Sequence, residues 1–160
     1  MSQVYVAVCG PDPAPPDVAA QAEEIGRLLA RAGAILVCGG LGGVMEAAAR
    51  GVQEEGGTSV GILPGSGRSA ANAHLGVSIV TGMGEMRNAL IVRSADVVIA
   101  IAGEFGTLSE IALALKTGVP VVGLGTWELA KPGRLVADPI VRASTPTEAV
   151  KHALRLARIG

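Results

Sequence analysis

Aromatic side chains are almost missing from this chain: Tyr5, Phe105 and Trp127 are the only three in 160 residues. Its core must therefore be built from Ala, Val, Ile and Leu, within a composition that is 49% hydrophobic. So few rings leave no platform on which the successive bases of a nucleic acid strand could stack. Basic charge is also short. Thirteen Lys and Arg against fourteen Asp and Glu give a formal net charge of -1, with no basic stripe to neutralise a phosphate backbone. Nucleic acid is excluded as the main partner. No apolar run reaches the ~20 residues of a membrane helix, and Met1 to Tyr5 carry no charged leader before a cleavable apolar stretch. The expectation is a cytoplasmic protein with no membrane partner. Cysteine is scarce: Cys9 and Cys38 each end a predicted strand and read as buried, reduced thiols. With two distant histidines, His74 and His152, they offer no zinc spacing, and no metal site is expected.

What is abundant is glycine, at 23, with 9 prolines. They punctuate an alternation of strands and helices. Strands are predicted at Val4–Val8, Ala34–Val37, Ser59–Leu63, Val77–Val80, Val97–Ile101 and Val119–Leu124. Helices are predicted after Asp17 as N-cap, from Val44 to Glu55, from Met83 to Ser94, from Leu108 onward and from Thr145 onward. The last start is explicit, with Thr145 as N-cap, Pro146 at N1 and Glu148 closing a capping box. Trp127 to Pro139 is irregular, with room for one short extra strand. Continuous apolar strands between amphipathic helices imply a doubly wound parallel sheet in three α/β/α layers. No composition shift divides it, so residues 1–160 form one domain. Right-handed crossovers place the strand-to-helix loops together at the carboxyl edge of the sheet.

Two of those loops carry candidate chemistry. In the first, Gly103-Glu104-Phe105-Gly106-Thr107 lies between a buried strand and a helix whose apolar face is Leu108, Ile111, Ala112 and Leu115. Free backbone N–H groups and the positive end of the helix dipole then converge, which suits a phosphate. Gly103, Gly106 and Thr107 would hold it, Glu104 and Phe105 complete the loop, and Glu110 stands one turn in. The second loop is Gly39-Gly40-Leu41-Gly42-Gly43-Val44-Met45. Gly39, Gly40, Gly42 and Gly43 let backbone approach a ligand closely, with Met45 beside it; the alternative is a tight turn with close helix–strand packing. A dinucleotide fingerprint is not met, because the first loop is Gly10-Pro11-Asp12-Pro13 and Met45 stands where a third glycine belongs. No Gly-Lys-Ser or Gly-Lys-Thr occurs. Arg87 and Asn88 start a helix that is expected to turn Met86, Leu90 and Ile91 inward. The arginine's fork of donors suits a phosphate or a carboxylate; a salt bridge with Glu110 is the alternative. Pro64 to His74 is a long small-residue loop, either mobile or ligand-facing.

Taken together, these residues resemble the Rossmann-like superfamily often labelled "possible lysine decarboxylase". It includes the Lonely Guy cytokinin-activating phosphoribohydrolases and the molybdenum-cofactor carrier proteins. The hallmark P-G-G-x-G-T-x-x-E is matched by Ala102 to Glu110, its arginine by Arg87 and its glycine loop by Gly39 to Met45. Met-Arg-Asn-Ala-Leu with Gly-Thr-Leu-Ser-Glu is most similar to a short bacterial subgroup near the cofactor carriers. The resemblance implies binding of a phosphorylated nucleotide or nucleotide-like cofactor, a molybdopterin-type ligand included, with no cofactor required by the sequence. It also implies a homodimer or homotetramer. The alternative it implies is an N-glycosidic-bond hydrolase releasing a free base and ribose 5-phosphate from a nucleoside 5′-monophosphate, with Arg87 and Glu110 as catalytic residues. Ala102 departs from the hallmark proline, Glu104 from its second glycine, and Asn88 from the lysine of the cytokinin-activating enzymes. Lysine decarboxylation itself is disfavoured, because pyridoxal-phosphate chemistry needs a Schiff-base lysine and Lys116, Lys131 and Lys151 all lie away from the carboxyl-edge loops.

Overall fold

The computed structural model describes residues 2–133 and 138–158. Seven parallel strands form one sheet in the order β4-β3-β2-β1-β5-β6-β7. They are β1 Tyr5–Cys9, β2 Ile35–Cys38, β3 Ser59–Leu63, β4 Val77–Val80, β5 Val97–Ile101, β6 Val121–Leu124 and β7 Val141–Ala143. The helices are α1 Pro16–Arg31, α2 Val44–Glu54, α3 Asn88–Arg93, α4 Phe105–Thr117 and α5 Pro146–Ala157, with a 3₁₀ turn at Gly84–Arg87 ahead of α3. This is a single-domain, Rossmann-like doubly wound α/β fold. The chain first runs outward from β1 to β4, then returns to β5 on the other side of β1. The β1/β5 boundary is therefore the switch point, where the loops leaving the two strands diverge and open a crevice.

Side-chain alternation along the strands builds the two cores. Val6 and Val8 of β1 join Ile99 and Ile101 of β5 against α1, α2 and α5. Ala7 and Cys9 join Val98 and Ala100 against α3 and α4. With hardly any aromatics available, closeness replaces bulk. On α1 and α2 a Cβ added at Gly26 would lie 2.1 Å from the Ala48 carbonyl oxygen, and one at Gly51 would lie 2.0 Å from that of Glu23. The two helix backbones thus touch through glycine. Around that seam Arg27 pairs with Glu23, Glu24 and Glu54, and Arg50 with Glu23.

Several expectations change in detail. Asp17 is not the N-cap of α1; Pro15 is, with Pro16 opening the helix at its preset φ, and Asp17 lies in the first turn. The expected helix from Met83 is broken, because Gly82 and Gly84 both adopt positive φ (62° and 61°) and delay the α-helix to Asn88. That break re-aims its side chains. Ile91 is buried, but Met86 is 74% exposed and Leu90 37%. The extra strand falls at Val141–Ala143, just beyond the irregular segment, of which 134–137 lie outside the described residues. Thr145 caps α5 by accepting from the Glu148 N–H (3.2 Å), while the Glu148 carboxylate accepts from the Ser144 N–H (2.7 Å). The long loop from Pro64 is tied down: Asn72 donates to the carbonyls of Gly40 and Leu41 (both 2.9 Å).

Candidate functional site

A cavity of about 1130 Å³ opens at the carboxyl edge over the switch point, walled by the loops that follow β1 and β5, the start of α4 and the 3₁₀ turn. The β5–α4 loop is built around unusual backbone. Ala102 has φ +46° and Gly103 φ +106°, and a Cβ at Gly103 would meet the Thr107 side chain at 2.4 Å. Only glycine lets the chain turn so tightly onto its own helix. Glu104 occupies the N-cap with extended backbone and makes no side-chain capping bond. The first bond inside the helix runs from the Leu108 N–H to the Glu104 carbonyl (3.0 Å). The amides of Phe105, Gly106 and Thr107 therefore have no partner within the helix, and all three residues line the cavity. Thr107 lines it too while only 4% exposed, and its hydroxyl makes no hydrogen bond among the described residues. A Cβ added at Gly106 would enter open space.

Arg87 comes from the opposite wall. It is 8% exposed. Its Nε donates to the Ile62 carbonyl (2.9 Å), its Nη2 to the Gly39 carbonyl (3.4 Å) and its Nη1 to Asn88 Oδ1. Asn88 in turn donates to Ser109 Oγ (3.2 Å), linking α3 to α4. Among the described residues no carboxylate comes within ion-pair distance of the guanidinium, so the expected alternative of a salt bridge with Glu110 is not formed. Arg87 is a buried cation held by neutral oxygens, with donor capacity left over. Burial lowers its pKa and the nearby Glu110 opposes that shift.

Glu110 lies half-buried on the first turns of α4. Burial pushes its pKa up to about 7, against the pull of the Arg87 charge and a hydrogen bond from the Cys9 thiol. Cys9 is itself raised well above the ordinary thiol value, by burial first and then by Glu110. Arg87 and Glu110 thus face one cavity without neutralising each other by contact.

The glycine loop serves the site from behind. Gly39, Gly40, Gly42 and Gly43 are not part of the cavity wall, whereas Leu41 and Met45 of the same loop are. A Cβ on Gly39 would lie 2.6 Å from Arg87 Nη2 and 2.7 Å from the Met45 sulfur, so Gly39 makes room for the guanidinium. Met45, Arg87, Asn88, Gly103, Glu104, Phe105, Gly106, Thr107 and Glu110 all line the cavity. Sequence reasoning passed over Asp12, Glu85 and Cys9, which line it as well. Asp12 and Cys9 were within reach, because they sit in and before the loop of the first strand, at the edge where an α/β switch point gathers its ligand. The contact of Cys9 with Glu110 required knowing that β1 pairs with β5, in register Cys9↔Ala100. Among the described residues no group of three or more His, Cys, Asp or Glu is arranged to hold a metal, and no helix is long and apolar enough to cross a membrane.

A parallel sheet with a ligand-sized cavity at its switch point defines a Rossmann-like α/β domain. Within that class the chain belongs to the SLOG cluster4 family, whose model matches residues 3–150. It is 42% identical over 133 residues to an uncharacterized protein of Archaeoglobus fulgidus, covering 83% of each chain. Among solved structures it is similar to the molybdenum cofactor binding protein of Rippkaea orientalis (36% identity, TM-score 0.88, 100% of this chain and 99% of the other). It is also similar to the molybdenum cofactor carrier protein of Chlamydomonas reinhardtii (32% identity, TM-score 0.86, 98% and 99%).

Proposed function

We propose that this protein binds a phosphorylated nucleotide or nucleotide-like cofactor, a molybdopterin-type ligand among them, with its phosphate at the N-terminus of α4. One observation carries the reading: a buried arginine with no ion-pair partner among the described residues and a threonine hydroxyl with no hydrogen bond among them line the same cavity as three helix amides that have no partner within the helix. A phosphate accepts from these donors at once and sets an anion against the buried guanidinium. The amides of Phe105, Gly106 and Thr107 hold the phosphate, Thr107 Oγ1 adds a donor, and Arg87 neutralises charge. The same donor set suits the phosphate of a pterin-type cofactor, in keeping with the likeness to two proteins described as binding or carrying the molybdenum cofactor. Glu104 and Glu85 at the rim repel free anions and narrow the site to ligands that reach the amides.

Addition of AMP or GMP is expected to raise the melting temperature. At a ligand concentration of about 100 Kd the stabilisation is ~2.7 kcal/mol, or about 5–10 °C for a domain of this size. Gly106→Asp points a carboxylate into open space at the amides and should abolish the rise without unfolding the protein. No rise with any phosphorylated ligand would contradict the proposal.

A second reading has its own observation. Glu110, poised near neutral pH beside Arg87, is the kind of carboxyl that general acid–base chemistry uses. In a phosphoribohydrolase, departure of the base leaves positive charge on the ribose ring. Glu110 would stabilise that charge or take a proton from the attacking water, while Arg87 orients the sugar phosphate. Free base should then appear from a nucleoside monophosphate, and Glu110→Gln should stop its release. Unchanged release in that variant removes Glu110 from the chemistry.

A further inference from the structure

We propose that Phe105, braced by Trp127, is a stacking platform for a planar heteroaromatic ring carried by the phosphorylated ligand, and so sets the site's preference for nucleotides over sugar phosphates. The inference rests on the phosphate reading above and names the class of ligand that the phosphate belongs to. The chain has three aromatic residues, and one of them, Phe105, lines the cavity with a second, Trp127, packed against it. The Phe105 and Trp127 rings lie 5.7 Å apart, tilted by 39°. Phe105 lines the cavity and is 75% exposed, so most of its ring is free to take a partner.

Trp127 is held in place rather than loose. Its indole Nε1 donates to the Glu104 carbonyl (3.2 Å), and its own carbonyl accepts from Arg142 Nη2 (2.8 Å). Next to it, Thr126 Oγ1 donates to the Ala102 carbonyl (2.5 Å). Two of these bonds tie the segment after β6 to the β5–α4 loop just ahead of Phe105, and the third ties it to β7. The indole packs on the core beneath and supports the phenylalanine from behind. A ring fixed in this way loses little freedom when a second ring stacks on it. The backbone amide of Phe105 belongs to the phosphate cradle while its side chain offers the π face. A molecule with a phosphate and a flat heterocycle close together, as in a purine nucleotide or a phosphorylated pterin, engages both through one residue. Ribose 5-phosphate engages only the amides.

Trp127 is the single tryptophan, so its emission reports directly on a ring arriving at Phe105. Titrations of the full chain with AMP, GMP and ribose 5-phosphate, followed by calorimetry and by fluorescence, test the proposal. AMP or GMP should bind more tightly than ribose 5-phosphate and change the emission. Phe105→Ala should weaken the nucleotide by on the order of tenfold, the scale of one lost base–aromatic stack, and leave ribose 5-phosphate within about twofold. Phe105→Tyr should restore the nucleotide. Trp127→Phe should keep binding while removing the signal. Gly106→Asp, which acts on the amides, should abolish both ligands and so reports on the phosphate reading separately. Equal binding of AMP and ribose 5-phosphate by the wild type, or equal losses for both in Phe105→Ala, would overturn the platform and leave the phosphate site standing. Wild-type protein that binds neither would overturn both.

Discussion

At the scale of single residues the site is a set of unfinished interactions. Arg87 lacks an anion in contact, Thr107 lacks an acceptor, and Glu110 is held where burial opposes its charge. The last has a sign that can be worked out. Because its native pKa lies above the unfolded value, the folded protein binds that proton more tightly than the unfolded chain does. Stability is therefore lost as pH rises from about 4.5 to about 7, and is level above that. At about 1.4 kcal/mol per pH unit the loss is on the order of 3 kcal/mol. Glu110→Gln is expected to be more stable than the wild type at pH 8 by up to that amount, with the gap closing toward pH 4.5, as followed by urea denaturation across pH. A gap independent of pH would contradict the burial of this carboxyl. Arg87 and Glu110 were legible in the sequence because their motif places them at fixed offsets from a strand end. The thiol of Cys9 beneath Glu110 was not, since strand order is a property of the whole sheet and leaves no local trace.

Elements were legible wherever one period dominated. The buried run Val97–Ile101 and the Thr145, Pro146 and Glu148 start of α5 could be read directly. The failures came where glycine altered the backbone. Gly82 and Gly84 break the helix expected from Met83, and the pattern that would have buried Met86 turns it to solvent instead. Glycine is also what joins α1 to α2, a role that composition alone does not reveal. Gly26→Ala or Gly51→Ala would drive a methyl group into a facing carbonyl at about 2 Å. Each is expected to destabilise the fold by roughly 1–3 kcal/mol or more, the cost of overpacking against a backbone that cannot yield, although alanine is the better helix former. Chemical denaturation measures this directly; a neutral or stabilising effect would mean that the two helices do not pack at that distance.

Across the whole molecule, topology assembles the site. Turning back at β1 brings loops about ninety residues apart in sequence to one crevice, with Arg87 and the 3₁₀ turn closing it from the side. The doubly wound sheet was legible from alternation, but its order was not, and it is the order, with β6 beside β5, that sets Trp127 next to Phe105. The central claim is that the first amides of α4 receive a phosphate. Amide-resolved NMR during titration with AMP examines those groups themselves. The N–H signals of Phe105, Gly106 and Thr107 should move downfield and saturate together, with the Arg87 side chain following. Saturable shifts elsewhere on the surface, with those three amides unmoved, would contradict the account.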